Sequence, residues 1–183
     1  GMSAAASIVR GEYIYIFGGS GQVYSDKIYK LNTEAQSIST LEKTLPRGMQ
    51  DFAHAVVGNT AYFFGGNITG GTTNYIVKFD FDTETVTQLD VTMPAARMGA
   101  AAFAFGTDIY VFGGSESATK QGYRTILKFD TTTETITTIE EKLPTAVFDF
   151  CSGVIGNYVY IVGGLITNSS FTKVIQRFDV AAQ

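Results

Sequence analysis

The hydrophobic positions fall in short runs rather than along a helical stripe. Four runs are apolar at nearly every residue: Tyr13 to Phe17, Ala61 to Phe64, Ile109 to Phe112 and Tyr158 to Val162. A continuously apolar run of this length between turn signals suits a strand buried on both faces. A stretch of small apolar residues precedes the third run, Ala100-Ala101-Ala102-Phe103-Ala104-Phe105. Each run is followed by a polar loop and then by a mixed segment such as Ile76-Val77-Lys78-Phe79. A Thr-rich segment closes the unit, as in Thr135-Ile136-Thr137-Thr138-Ile139. Thr and Ile together suit a half-exposed strand. The pattern predicts four strands, a to d, in each unit, and no segment reads as an amphipathic helix.

The units repeat. Gly-Gly pairs stand at Gly18-Gly19, Gly65-Gly66, Gly113-Gly114 and Gly163-Gly164, at intervals of 47, 48 and 50 residues. A tyrosine lies three residues before each pair (Tyr15, Tyr62, Tyr110, Tyr160), and a glycine seven before (Gly11, Gly58, Gly106, Gly156). The motif G-x-x-x-Y-x-x-G-G thus recurs in every unit. So does a basic residue, a large apolar residue and Asn or Asp, at Lys30-Leu31-Asn32, Lys78-Phe79-Asp80, Lys128-Phe129-Asp130 and Arg177-Phe178-Asp179. All three prolines occupy one repeat position, in Leu45-Pro46, Met93-Pro94 and Leu143-Pro144. Four-stranded units at this period are the signature of propeller blades. One blade cannot bury both of its faces alone, so blades must stack around an axis.

These motifs resemble the kelch repeat, and the resemblance spans about Ser3 to Gln183. The third unit matches best, with Met93-Pro94-Ala95-Ala96-Arg97-Met98-Gly99 and then Ile109-Tyr110-Val111-Phe112-Gly113-Gly114. Two positions depart from the family pattern. Ile38, Val86 and Ile136 stand where strand d usually carries tryptophan. Only Arg97 keeps the arginine after Met-Pro, with Met49 and Val147 at the equivalent places. The resemblance implies an all-β fold, a β-propeller of four-stranded antiparallel kelch-like blades. The chain reads as a single such domain or part of one, with repeats at about 3–46, 50–94, 98–144 and 148–183. The last repeat lacks its outer strand, because Asp179 aligns with Asp130 and Gln183 with Glu134.

Kelch propellers usually have six or seven blades, and four repeats leave three arrangements open. The chain is a piece of a longer propeller, a half-ring completed by a second copy, or a disc closed by four blades alone. Exposed apolar blade faces are unfavourable in water. The unpaired strand c of the last blade is also a pairing edge. Self-association and the closed disc are therefore expected over an open monomer.

Composition narrows the chemistry. Hydrophobic residues make up 45% of the 183 and charged residues 16%, which excludes a disordered chain. The net charge is −4 with no Lys/Arg-rich run, so neither nucleic acid nor an anionic membrane is an expected partner. No apolar run approaches a membrane span. The residues Gly1-Met2-Ser3-Ala4 carry no secretory signal, and the compartment stays open. One cysteine, Cys151, permits no internal disulfide, and on strand a it is expected to be a buried small residue. One histidine, His54, excludes a multi-histidine metal site within the chain, and no cofactor is expected.

Strand parity places the d–a and b–c connections on one face. The b–c loops, Ser20 to Lys27, Asn67 to Asn74, Ser115 to Tyr123 and Leu165 to Thr172, differ most between units. Variable loops on a rigid scaffold are where recognition sits. Candidate ligand-binding residues are Arg97, Asp51, Asp149, His54, Tyr24, Tyr123, Asn67 and Phe171. Arg97 offers a fork to a carboxylate near the axis, or a bond to Asp51 or Asp149 of a neighbouring blade. His54 is a base or a hydrogen-bonded inner-strand residue. Tyr24, Tyr123 and Phe171 are aromatic anchors for a partner or caps between blades. Asp80-Phe81-Asp82 mimics a calcium loop but lacks its glycine and closing glutamate, and is read as a hairpin. Asn67-Ile68-Thr69 and Asn168-Ser169-Ser170 match the glycosylation acceptor pattern.

The functional expectation is a non-catalytic module that holds a protein or peptide partner on the loop face, with no catalytic residues assigned. The kelch resemblance implies two enzyme alternatives. A copper oxidase needs several histidines, which the chain lacks. A sialic-acid epimerase needs paired bases in the funnel, for which Arg97, His54 and Asp149 are the available set. A third reading is an architectural segment of a longer propeller protein.

Overall fold

Each repeat folds into its own antiparallel sheet, with the glycines at the turns. The computed structural model describes residues 3–167 and 170–183. Blade 1 is β1 (Ala6–Arg10), β2 (Tyr13–Phe17), β3 (Ile28–Asn32) and β4 (Ser37–Thr40), hydrogen-bonded in chain order. After β5 (Met49–Gln50), blade 2 begins with β6 (Ala53–Val57) and β7 (Thr60–Phe64). Its b–c loop carries β8 (Asn67–Ile68) and β9 (Gly71–Thr72), and β10 (Tyr75–Asp80) and β11 (Thr85–Thr92) complete the blade. Blade 3 is β12 (Met98–Phe105), β13 (Asp108–Glu116), β14 (Gln121–Asp130) and β15 (Thr135–Val147). Blade 4 has three strands, β16 (Cys151–Ile155), β17 (Tyr158–Val162) and β20 (Ile175–Asp179). A small hairpin of β18 (Leu165–Ile166) and β19 (Ser170–Phe171) rises from its b–c loop. The missing outer strand of the fourth unit is as the repeat alignment predicts.

Blade 3 differs from expectation in one respect. Gly113-Gly114 does not end its second strand. β13 continues to Glu116 and pairs again with β14, with a register shift between Phe112 and Ser115 that absorbs the two glycines. Pro144 lies inside β15, which proline tolerates because this is the blade's edge strand.

The Asp80 segment is a turn, as its repeats elsewhere indicate. The Asp80 carboxylate accepts from the Asp82 and Thr83 amides at 3.0 and 2.8 Å, and Asp130 accepts from Thr132 and Thr133 in the same way. These bonds to the backbone hold both carboxyls below their ordinary range.

Three cores join the four blades. The first packs Tyr15, Phe17 and Ile28 of blade 1 against Phe63, Val77 and Phe79 of blade 2. The second packs Tyr62, Phe64 and Ile76 against Ile109, Val111 and Phe129. The third packs Tyr110, Phe112 and Ile126 against Val159, Ile161 and Phe178. The same repeat positions serve each time, so every blade has a trailing face (Tyr, Phe, Ile) and a leading face. At the first two junctions ion pairs at the rim do the same, whereas Lys128 pairs within its own blade with Asp108 at 2.8 Å. Lys30 reaches Glu84 of the next blade at 2.6 Å, and Lys78 reaches Glu134 at 2.6 Å. Tyr15 donates to the same Glu84 carboxylate at 3.2 Å.

No core among the described residues joins blade 4 to blade 1, so the molecule is an open arc. This corrects the expectation of a disc closed by the chain alone. It also corrects Cys151, which is exposed because the trailing face of blade 4 has no neighbour.

The double glycines set the spacing between blades. At Gly18, Gly65 and Gly113 an added Cβ would lie 2.4, 2.2 and 2.6 Å from the carbonyl oxygens of Met49, Arg97 and Val147. These are equivalent residues of the segment entering the next blade. Gly19 and Gly66 donate to the Met49 and Arg97 carbonyls at 2.8 Å. Around the axis, Ala4, Asp51, Gly99 and Asp149 all have left-handed φ, from 49° to 59°. Each amide bonds the carbonyl of the residue before it in that series: Asp51 to Ala4, Gly99 to Asp51 and Asp149 to Gly99, at 3.2, 3.0 and 2.9 Å. Asp tolerates this region better than most residues.

Gly65→Ala is expected to lower stability sharply, because its φ of 68° strains an L-residue and its Cβ would meet the Arg97 carbonyl. The backbone strain alone is worth about 1–3 kcal/mol. Chemical denaturation checks this, with Gly58→Ala as the control, since nothing lies within 4 Å of its Cβ position.

Candidate functional site

The b–c and d–a connections share one face, as strand parity predicts. β5, from the d–a segment, pairs with β8 of the next b–c loop, and Phe148 bridges to Leu165. Between the b–c loops of blades 1 and 2 lies a cavity of about 440 Å³. Gln22, Val23 and Tyr24 form one wall, Asn67, Ile68 and Thr69 the other, and Ser117 of blade 3 closes an end. The far wall is braced. The Thr72 hydroxyl donates to Asn67 at 3.2 Å, shares a hydrogen bond with the Ser117 hydroxyl at 2.8 Å and accepts from the Ser117 amide at 2.9 Å. Asn67 also donates toward Met98 and Asp51. This wall is a rigid element, whereas Val23 projects into solvent.

A second recess, about 250 Å³, opens on the axis and is lined by Asp51, His54 and Asp149 with Ala4, Phe52 and Gly99. Burial raises the carboxyls of Asp51 and Asp149 above their ordinary range, and the Asp51 charge raises Asp149 further. The Asp149 carboxylate lies over Gly99, where an added Cβ would sit 2.1 Å from its Oδ1. Only a residue without a side chain leaves it that space. Burial lowers His54. Its side chain makes no hydrogen bond among the described residues, which corrects the expectation of a hydrogen-bonded inner-strand histidine.

Arg97 is not in this recess. It is 1% exposed and donates to the Gly113 carbonyl at 2.9 Å and to Thr125 at 3.2 Å, with its guanidinium 5.0 Å from the Tyr123 ring centre. It makes no ion pair with Asp51 or Asp149. The Arg97 carbonyl is fixed by Gly66, and its side chain runs across blade 3 instead of toward the axis. Its Nε has no partner, and burial lowers its pKa to about 10. The set Arg97, His54 and Asp149 is therefore not brought together, and Tyr123 serves as a half-buried lid on Arg97.

The remaining candidates separate. Tyr24 and Asn67 share the loop cavity. Phe171 is 87% exposed on the blade 4 hairpin. Asn67 of the first glycosylation motif is hydrogen-bonded and half-buried. Asn168 and Ser169 of the second lie outside the described residues. Among the described residues no three His, Cys, Asp or Glu side chains form a metal-binding group, and no helix is long and apolar enough to cross a membrane. Sequence reasoning singled out the b–c loops but missed Val23, Ile68 and Ser117. Only their non-repetition marks them.

Against known proteins, the family model of the KLHDC2/KLHL20/DRC7 Kelch-repeats domain matches residues 1–182. The chain belongs to the kelch-repeat family, whose domains act in general as scaffolds for protein interaction. No curated protein matches it.

Two outcomes follow from the environments of His54 and Arg97. His54 is the only histidine, so a proton NMR titration reads a single imidazole, with a midpoint expected below 6.5. A depressed folded pKa means stability is full above the unfolded pKa and falls as pH drops through it. His54→Ala, the residue found as Ala102 in blade 3, should abolish that slope in acid unfolding curves. Arg97→Met should stay within about 1 kcal/mol of the parent, because replacing a buried charge by an apolar side chain of similar size is often neutral. Met49 already fills the equivalent place in buried form. A loss of several kcal/mol in denaturant melts would mean that the bonds to Gly113 and Thr125 carry blade 3.

Proposed function

We propose that the chain binds a protein partner through an extended peptide segment on its loop face, without catalysis, in the cavity between the b–c loops of blades 1 and 2. The observation that carries this reading is that cavity itself. It is concave and mixed in polarity, and it is lined by residues that depart from the repeat. The apolar parts of Val23, Tyr24 and Ile68 supply contact area, and Gln22, Asn67 and Ser117 supply donors and acceptors that orient a backbone. The braced wall lowers the ordering cost of binding. The axial recess is a weaker candidate, since it is smaller.

Selection of peptides from a displayed random library tests this. Tyr24→Ala and Ile68→Asp are expected to weaken the selected peptides at least tenfold, a change of about 1.4 kcal/mol. Phe171→Ala on blade 4 should leave them unchanged. Peptides whose affinity ignores both cavity substitutions would sink the assignment.

A further inference from the structure

No residue lining the loop cavity between blades 1 and 2 carries a charge. Its walls are hydroxyls, side-chain amides, glycine backbone and the apolar surfaces of Val23, Tyr24 and Ile68. The chain itself is not poor in charge, with 13 Lys and Arg and 17 Asp and Glu. Those groups are engaged elsewhere. In blade 3, Arg97 and Arg124 donate to the Gly113 and Leu143 carbonyls at 2.9 and 2.6 Å. Lys30 and Lys78 are held at the rim by Glu84 and Glu134. Asp51 and Asp149 line the axial recess and not this cavity.

A charged group that enters a concave site gives up water and needs a counter-charge in return. This cavity offers none of either sign. An uncharged polar group gives up far less, and the hydroxyls and amides of the wall replace its lost hydrogen bonds.

Asn67 gives the wall a direction. Its Nδ2 donates to the Asp51 carboxylate at 3.4 Å and to the Met98 sulfur at 2.8 Å, and neither of these residues lines the cavity. Both are acceptors, so the two Nδ2 hydrogens are committed behind the wall. The Oδ1 accepts from the Thr72 hydroxyl at 3.2 Å and keeps a second lone pair. What Asn67 has left to offer is an acceptor, which calls for an N–H or O–H in the occupant. Gly70 and Gly71 adjoin it with φ of 103° and 143°, and nothing lies within 4 Å of either Cβ position. That stretch of wall is bare backbone, open to close approach.

We propose that this cavity selects an uncharged stretch of the partner segment, anchored by a side-chain amide or hydroxyl that donates to Asn67, with an aliphatic neighbour on Val23 and Ile68, and that it rejects Lys, Arg, Asp and Glu at the anchor. The inference rests on the reading of the cavity as a peptide site. It adds that recognition there is by hydrogen-bond direction and apolar contact, with no long-range charge.

The probes are peptides selected from the displayed random library that lose affinity on Tyr24→Ala and Ile68→Asp. They should share an Asn, Gln, Ser or Thr, and its exchange for Asp, Glu or Lys should weaken binding about tenfold or more. Affinity should change less than about twofold between about 0.05 and about 0.5 M salt. Gln22→Glu places one carboxylate in the wall at an exposed loop position, and the circular dichroism spectrum should not change. Selection on that variant should bring in peptides with Lys or Arg, whose affinity falls as salt rises. Cavity-dependent peptides that require or tolerate a charged anchor, or that salt weakens beyond that range, overturn the inference and leave the peptide site standing. A library that yields no peptide sensitive to Tyr24→Ala or Ile68→Asp overturns the site and this inference together.

Discussion

The close crossing of the chain over each double glycine governs the arrangement of the blades. The segment entering a blade must pass within hydrogen-bond distance of the preceding blade's second strand. A side chain at Gly18, Gly65 or Gly113 would occupy the place of a carbonyl oxygen. With that approach fixed, β-sheet twist and side-chain volume leave little freedom in how the next blade sits. The buried Tyr, Phe and Ile of one blade meet a phenylalanine and branched or aromatic residues of the next at equivalent repeat positions each time. The left-handed series at Ala4, Asp51, Gly99 and Asp149 is the axial counterpart of the same constraint, binding the inner strands by one backbone bond per blade. Gly163 is the instructive exception. No entering segment passes over it, and its nearest neighbour is the Thr172 carbonyl of its own loop, 3.3 Å from the Cβ position.

What repeats could be read directly from the sequence, because repetition is itself a statement about geometry. The glycine pairs, the tyrosine, the basic residue with its Asn or Asp, and the proline all hold equivalent places. Strand identity and the shared loop face followed from them. Whatever depends on a neighbour being present could not be read in the same way. Ile175 and Cys151 look in sequence like Ile126 and Ala101, yet both are exposed because no described residue packs against that face of blade 4. Arg97 illustrates a second limit. Its carboxylate candidates were close in the repeat frame, but its side chain instead donates to the Gly113 carbonyl and Thr125, partners that spacing does not reveal. The continuation of β13 through Gly113-Gly114 is a third. The glycines there are absorbed as an irregularity between paired strands, because the flanking Ser115 and Gln121 segments can still pair.

The departures from the repeat are what distinguish this molecule from a generic stack of blades, and they fall at two heights. On the loop face, Val23, Tyr24 and Ile68 replace nothing structural and gather around one cavity. On the axis, Asp51 and Asp149 occupy a position where Ala4 and Gly99 serve equally well as backbone. Their carboxyls are therefore not demanded by the fold, and their burial works against ionisation. A pair of half-buried acids beside a half-buried histidine, whose pKa burial lowers, makes the axial wall sensitive to the charge and the water around it. Both follow from how little water reaches the recess: the less water reaches Asp51 and Asp149, the higher the cost of ionising them, and the ionised charge of one adds to the cost for the other.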